Sequence, residues 1–260
     1  FQDAGPGQDY YYDRDPYAVV QAVANDLEPF FTRADDYRRH DRFHDATTVY
    51  RVLIEEIRDH YDQFWDEEGK LSSRASEATR ELGEILSEAE DPDLRETILR
   101  VLFDAYMWDL DLGGYGIGDW AHEAILEYAA PDERQQVAEW IRDRIPGQID
   151  PPDPYRRVFV MSKDETSSWS SNWKRKALGS FLLDLLADTL DDEKYLRICQ
   201  ATGRITELVE RFLERDRLDE ALDAAREASD YEVYKLTSIF EEHDAEDALY
   251  DLVLNRLDND

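Results

Sequence analysis

The apolar residues of this 260-residue chain recur at intervals of three and four, and no segment keeps the strict alternation of a half-buried strand. Between residues 41 and 65, for example, Val49, Leu53, Ile57 and Tyr61 fall on one face of a helix. A helix with one apolar face buries it against other elements, and here the other elements are also helical. The spacing therefore predicts an all-α fold.

Capping residues, prolines and glycines indicate where the helices begin and end. Asp15 followed by Pro16 predicts a helix over 16–31, because Asp is a good cap and proline suits the first helical position. The apolar stripe described above predicts another over 41–65. Further helices are expected over 73–90, 92–112, 119–128, 131–145 and 173–190, followed by shorter helical units.

A segment rich in Pro, Ser and Asp interrupts this pattern. It contains Asp150-Pro151-Pro152-Asp153-Pro154, which favours a linker or an inserted loop over any helix. We accordingly divide the chain into a loose lead-in over 1–14, an N-terminal helical block over 15–145, a linker or insertion over 146–171, and C-terminal helical hairpins over 172–260.

The C-terminal part also carries a weak internal repeat. The segment 217–225 is echoed by 244–252, so that the pair Ala221-Leu222 recurs as Ala248-Leu249. A small residue followed by larger apolar ones allows two helices of a hairpin to pack closely, and its recurrence is typical of helical solenoids. The predicted fold class is a helix-hairpin array or α-solenoid that is tetratricopeptide-like towards the C-terminus, with a spacing shorter than the standard unit.

The charge of the chain limits its partners. The 62 acidic and 30 basic residues give a net charge of −32, and a field of this sign repels phosphate backbones and anionic lipid heads. We therefore expect neither duplex nucleic acid nor a membrane as a partner. The abundance of Asp with few Lys fits a halophilic cytoplasm, and GC-rich coding explains the preference for Arg equally well.

Cys199 is the single cysteine, so an intrachain disulfide and a multi-cysteine zinc site are both excluded. No apolar run approaches the ~20 residues that span a bilayer, and no signal peptide opens the sequence. These features predict a reducing, cytoplasmic location. Because the chain begins with Phe1 instead of Met, we expect it to be part of a longer protein.

Two histidines are the candidate metal ligands. His40 and His44 lie one helical turn apart, with Asp36 and Asp45 nearby, which is acceptable geometry for two ligands. No paired motif accompanies them, and surface histidines are the simpler interpretation. A metal-assisted hydrolase that uses His40, His44 and neighbouring carboxylates is the alternative to a non-catalytic protein.

Other catalytic patterns are incomplete. Asp109-Leu110-Asp111 resembles the start of a calcium loop, but Trp120 stands where the bidentate Glu belongs. Gly114, Gly116 and Gly118 follow no strand and precede no Lys-Ser pair, so they predict a turn and no nucleotide site. The sequence also lacks a Gly-x-Ser-x-Gly nucleophile elbow. We therefore predict no catalytic residues and no cofactor.

One segment opposes the overall charge, since cations alternate in it with tryptophans. Arginine and tryptophan together form binding hot spots in protein interfaces and stack on single-stranded bases. The alternative is that the indole rings anchor the insertion on the helices while the cations pair with acidic neighbours. The candidate binding residues are Arg156, Arg157, Trp169, Trp173, Lys174, Arg175 and Lys176.

Part of the chain resembles a known family. The region from Ala34 to Ile145 is similar to the helical region that follows the zinc finger in prokaryotic SWIM-type zinc-finger proteins, and the later residues resemble their tetratricopeptide-like continuation. The finger itself, Cys-x-Cys followed by Cys-x-His, is absent, and the resemblance implies that it precedes Phe1. The segments that carry the likeness are 46–57, 65–71, 91–106, 113–118 and 121–126.

The resemblance implies protein or nucleic-acid interaction. Taken with the repeat character of the helices, it favours a non-catalytic scaffold that binds a protein or peptide within a larger protein.

Overall fold

The computed structural model describes residues 15–145 and 168–257, and these residues form helices with no strand. The all-α prediction is therefore confirmed. In the first range the helices are α1 (Pro16–Asp26), α2 (Glu28–Arg39), α3 (Phe43–His60), α4 (Lys70–Glu88), α5 (Pro92–Leu112), α6 (Asp119–Tyr128) and α7 (Pro131–Arg144). In the second they are α8 (Ser168–Leu186), α9 (Asp192–Thr202), α10 (Ile205–Leu213), α11 (Leu218–Ala225), α12 (Asp230–Glu242) and α13 (Glu246–Leu257).

The chain divides into two compact units, one ending at Val137 and the other beginning at Ala138. This division falls within α7. The predicted linker, 146–171, lies outside the described residues except for its last four, which belong to α8.

Helix α4 is at the centre of the first unit, where it packs against α1, α3, α5 and α6. Its apolar residues are buried on several sides, and Gly83 lets α6 approach so closely that an added Cβ would stand 2.7 Å from the Cβ of Ala124. One core cluster joins α1, α3, α4 and α5 to the loop that follows α5. It consists of Val20, Ala24, Ile57, Leu71, Ala75, Trp108 and Ile117.

Several of the predicted helices differ in their limits: α4 begins at Lys70 instead of 73, and α8 spans Ser168–Leu186 instead of 173–190. The helix expected over 16–31 is interrupted at Leu27, where α1 ends and α2 begins. Pro29 explains the interruption, because it has no N–H to donate to the preceding turn. The helix expected over 41–65 ends at His60 and continues only as the short 3-10 turn Tyr61–Gln63.

One turn geometry joins consecutive helices at four places in the described chain. In each, a left-handed residue stands two positions before the start of the next helix. The N–H of the residue between them donates to the carbonyl oxygen five residues earlier at 2.9 Å. Such a bond satisfies a carbonyl group that the helix end leaves free. The left-handed residues are Asp41 (φ 56°), Gly203 (φ 68°), Asp216 (φ 55°) and Asp244 (φ 53°).

An arginine follows the left-handed residue in three of these turns. Each of these arginines forms an ion pair with a carboxylate three residues later, in the first turn of the new helix. Two of them also lie over the ring of the residue whose carbonyl accepts the turn's hydrogen bond, at 4.3 Å and 4.7 Å from the ring centroid. The pairs are Arg42–Asp45, Arg204–Glu207 and Arg217–Glu220, and the stacked rings are Tyr37 and Phe212.

In the second unit α8 packs on α9, while α10 packs on α9, α11 and α12, and α13 packs on α11 and α12. When the two repeats are aligned by their left-handed turn residues, the correspondence differs from the one that the repeated Ala-Leu pair suggests. Counted from the left-handed aspartates, Ala221 corresponds to Leu249, and both are buried, whereas Ala248 is half-buried. The structural correspondence is therefore shifted by one residue from the repeated Ala-Leu pair.

No helix within 15–145 or 168–257 is both long and apolar enough to cross a lipid bilayer.

Candidate functional site

The two candidate histidines lie on either side of the turn between α2 and α3, and each has its own partner. His40 places Nδ1 2.8 Å from the carbonyl oxygen of Asp36, one turn back in α2. His44, in α3, places Nε2 2.8 Å from a carboxylate oxygen of Asp91, which caps α5. This hydrogen bond is the main reason that the pKa of Asp91 lies below its usual value. The arrangement thus ties the start of α3 to the start of α5.

His40 and His44 are not part of a larger group of ligands in the described ranges. Among residues 15–145 and 168–257, no three His, Cys, Asp or Glu side chains are grouped as a metal site.

The basic and aromatic candidates lie in or before α8. Arg156 and Arg157 fall outside the described residues, and Trp169 lies in α8 at a position where only the backbone is described. Trp173 is exposed, whereas Lys174, Arg175 and Lys176 are half-buried. The Lys176 ammonium forms an ion pair with Glu232 at the start of α12, and its backbone carbonyl accepts a hydrogen bond from Arg204 at 3.1 Å. Lys176 therefore contacts its own helical unit.

Helices α8, α9 and α10 enclose a pocket of about 430 Å³. Its two cations are already engaged, because Arg204 pairs with Glu207 and Arg211 lies 4.4 Å from the centre of the Tyr195 ring and 3.5 Å from Asp192. The contacts of Arg211 hold α10 against α9. Both arginines of this pocket are therefore neutralised by carboxylates that also line it, Glu207 and Asp192.

Cys199 lies in α9 and is fully buried. Burial, followed by the negative charge of Glu207, raises the pKa of its thiol to about 12. A thiol with this pKa stays protonated near neutral pH, and the protonated form is a poor nucleophile.

The loop between α5 and α6 is held firmly by two polar groups. The buried carboxylate of Asp109 accepts hydrogen bonds from the backbone N–H groups of Tyr115 at 2.8 Å and Ile117 at 3.2 Å. The hydroxyl of Thr79, in α4, lies 3.2 Å from the carbonyl oxygen of Ile117, whose side chain is fully buried. The glycines at 113, 114 and 116 have positive φ, which lets the chain turn sharply here.

Two exposed rings stand in this loop and at the start of the helix that follows it. Tyr115 is 71% exposed, and Trp120, in the first turn of α6, is 47% exposed. Both line a shallow groove of about 280 Å³ whose other side is formed by the first turns of α4. The remaining lining residues are Ser72, Ser73, Ser76, Glu77, Arg80, Gly116 and Ile117.

Two of the three serine hydroxyls on the α4 side are open to a ligand, whereas that of Ser72 is hydrogen-bonded to Tyr61. Within the described parts of the chain, Ser73 and Ser76 form no side-chain hydrogen bond. The helix start beneath them is already capped, because the carboxylate of Asp66 accepts from the N–H groups of Lys70 at 2.6 Å and Ser72 at 2.9 Å. The groove therefore combines exposed rings with unoccupied hydroxyls on a fixed backbone.

Sequence reasoning did not identify Tyr115 and Trp120 as candidates. Tyr115 falls in the predicted glycine turn and Trp120 at the start of the predicted helix 119–128, and both stand outside the apolar stripes of α5 and α6. That position was itself the available signal. An aromatic residue beside a glycine turn that continues neither helical stripe has no core to join, and the fold leaves it at the surface.

Comparison with protein-family models, with curated proteins and with solved structures found no match to this chain.

Proposed function

We propose that this chain is a non-catalytic helical scaffold, and that it binds a protein segment in the groove between the α5–α6 loop and the start of α4. The observation that carries the proposal is the exposure of Tyr115, on a loop held by the buried Asp109 carboxylate, beside the exposed Trp120 at the start of α6. We name this surface the Tyr115–Trp120 groove.

The fixed backbone of the α5–α6 loop is evidence that the exposed rings serve binding. A ring that is ordered before a partner arrives loses little conformational entropy on binding. The two hydrogen bonds to Asp109 supply this order for the loop. Because Tyr and Trp also dominate the energetics of protein interfaces, their exposure here favours a recognition surface.

The composition of the groove supports the same function. Antibody binding loops are enriched in Tyr, Ser and Gly, with Trp at their hot spots, since the rings supply contact area and the small polar residues supply adaptable hydrogen bonds. The groove contains all four types and one arginine, Arg80. The likeness to the helical region of SWIM-type proteins agrees with an interaction role, and membership of that family stays a prediction.

A displayed library of random dodecapeptides, selected on the immobilised protein, tests this proposal. We expect selected peptides to bind the wild-type chain and to lose at least about tenfold in affinity for the Tyr115→Ser/Trp120→Ser variant, as for hot-spot residues. Binding is measured by calorimetry with synthetic peptides.

The matched control is Trp65→Ser, which removes a ring that is 60% exposed elsewhere in the same unit. Circular dichroism and the melting temperature establish that both variants are folded. Failure to enrich any peptide, or equal binding by wild type and the double variant, would refute the proposal.

A further inference from the structure

We propose that the hairpin formed by α12 and α13 carries a second binding surface, and that this surface takes a protein segment rich in arginine and lysine. The hairpin lies in the second unit and shares no residue with the Tyr115–Trp120 groove, so the inference goes beyond the proposed function. We name it the α12–α13 surface.

The α12–α13 surface exposes three tyrosine rings. Tyr231 and Tyr234 are 68% and 79% exposed and stand three residues apart in α12, which puts them on one face of that helix. Tyr250 is 64% exposed and belongs to α13, which packs against α12 across the turn at Asp244. Within the described parts of the chain, Tyr234 and Tyr250 form no hydrogen bond and no ring contact. These two rings are therefore open to a partner.

The same hairpin carries unpaired negative charge. Between residues 231 and 254 there are seven acidic side chains, and Lys235 is the one lysine or arginine. Five of the seven carboxylates are exposed and form no ion pair or side-chain hydrogen bond with any residue of 15–145 or 168–257. A basic segment supplies the cations that these carboxylates lack. They belong to Glu241, Glu242, Asp244, Glu246 and Asp247.

The rings and the carboxylates favour the same partner. A carboxylate attracts a cation through its charge, and the face of a tyrosine ring attracts it through its quadrupole. The hairpin itself contains an example, because the ammonium of Lys235 lies 4.8 Å from the centroid of the Tyr231 ring. An acidic segment or a nucleic acid is repelled here, and an apolar segment would bury carboxylates that have no partner. The charge of the hairpin therefore favours a basic segment over the other classes.

A fluorescent peptide of five Arg-Gly units tests the inference on the full chain at about 0.15 M KCl. We expect Tyr234→Ser/Tyr250→Ser, which keeps the net charge, to bind it at least about fivefold more weakly, because two cation–π contacts are lost. The control Phe30→Ser/Trp65→Ser removes two rings that are exposed in the first unit and should bind as wild type does. Fluorescence anisotropy measures the affinities, and circular dichroism establishes that the variants are folded.

Attraction by the total charge of −32 is the competing explanation, and a second pair of variants separates it from the inference. Glu241→Gln/Asp247→Asn and Asp26→Asn/Glu90→Gln each remove two exposed negative charges, but only the first two lie on the α12–α13 surface. We expect the first variant to lose at least about threefold more affinity than the second, as for two exposed charge pairs.

Three results would overturn the inference. They are wild-type affinity in the double tyrosine variant, equal losses in the two charge variants, and equal binding of a peptide of five Gln-Gly units. Each of them leaves the proposed function of the Tyr115–Trp120 groove standing, because none of these variants changes a residue of the groove.

Discussion

Three aspartates, at 41, 216 and 244, have left-handed backbones in the turns between helices. This conformation crowds the Cβ atom of most residues, but the short polar side chain of Asp tolerates it better than others do, and Gly has no such crowding. The fourth turn of this type has Gly203 in the same place. Asp therefore occupies these positions because of the backbone geometry. In the sequence alone, these aspartates look like any other acidic surface residue.

Substitution of Asp216 tests this interpretation. We expect Asp216→Gly to leave the free energy of unfolding unchanged or to raise it by up to about 1 kcal/mol, because Gly removes the crowding. Asp216→Val should lower it by about 1–2 kcal/mol. Urea unfolding followed by circular dichroism measures both.

The control lies three residues away, at Asp219 in the first turn of α11. There the backbone is helical, so Asp219→Gly should lower the free energy of unfolding by several tenths of a kcal/mol. If Asp216→Gly lowered the free energy of unfolding as Asp219→Gly does, the left-handed backbone assigned to Asp216 would be contradicted.

At the scale of helices, Arg95 joins several helix ends in the first unit. Its guanidinium donates to the carbonyl oxygens of Leu86 at 2.6 Å, at the end of α4, and of Tyr128 at 2.9 Å, at the end of α6. It also forms two hydrogen bonds with Glu133 in α7, at 2.7 and 2.8 Å. These carbonyls have no partner inside their own helices, so Arg95 satisfies groups that would otherwise be left free.

Removal of this contact should be costly. Both side chains of the Arg95–Glu133 pair are only 16% exposed, and a carboxylate left without its partner in such surroundings is strongly unfavourable. We expect Arg95→Ala to lower the free energy of unfolding by about 3–5 kcal/mol.

The same pair predicts a pH dependence. The hydrogen bond from Arg95 lowers the pKa of Glu133 below its usual value. Its contribution to stability is therefore fully present above the pKa of an unfolded Glu, about 4.3, and is lost as the pH falls through the lower folded value. Wild type should exceed Glu133→Gln in urea stability at pH 7, and the difference should shrink below about pH 4.3.

Glu90→Gln is the control for this series, because Glu90 is exposed and its neutralisation should change stability little at either pH. A wild-type advantage over Glu133→Gln that grows on acidification would contradict the prediction.

For the whole molecule, the net charge of −32 is the dominant electrostatic feature. Surface ion pairs are numerous, but exposed pairs each contribute at most about 1 kcal/mol, and salt weakens them. The excess negative charge repels itself throughout the chain, and salt weakens this repulsion as well. We expect the second effect to exceed the first.

The melting temperature should accordingly rise with salt. Between 0.1 and 1 M KCl the screening length falls from about 10 to about 3 Å, and we expect an increase of at least about 2 °C at pH 7, equivalent to about 1 kcal/mol. Near pH 4.4, where the net charge vanishes, the increase should largely disappear. A melting temperature that is constant or falls with KCl at pH 7 would contradict this.

Many local features could be read from the sequence, because each depends on neighbouring residues. Asp15-Pro16 and Asp91-Pro92 open helices as predicted, and the side chain of each aspartate caps the helix that follows. The segments 41–45, 203–207 and 216–220 also share a pattern, which is Asp or Gly, then Arg, an apolar residue, any residue and an acid. This pattern marks a turn between helices because its first residue has a positive φ, and the sequence does not show that angle.

The sequence by itself determined that this chain would form helices and where most of them would begin, since apolar period and capping are local properties. Only the tertiary structure decided which rings would be buried and which exposed. Trp108 and Tyr115 lie seven residues apart, yet Trp108 enters the core cluster while Tyr115 is left outside. That difference arises because Asp109 and Thr79 fix the intervening loop through contacts between α4, α5 and the loop itself, which are distant in sequence. The Tyr115–Trp120 groove is likewise formed by helices brought together in the folded unit.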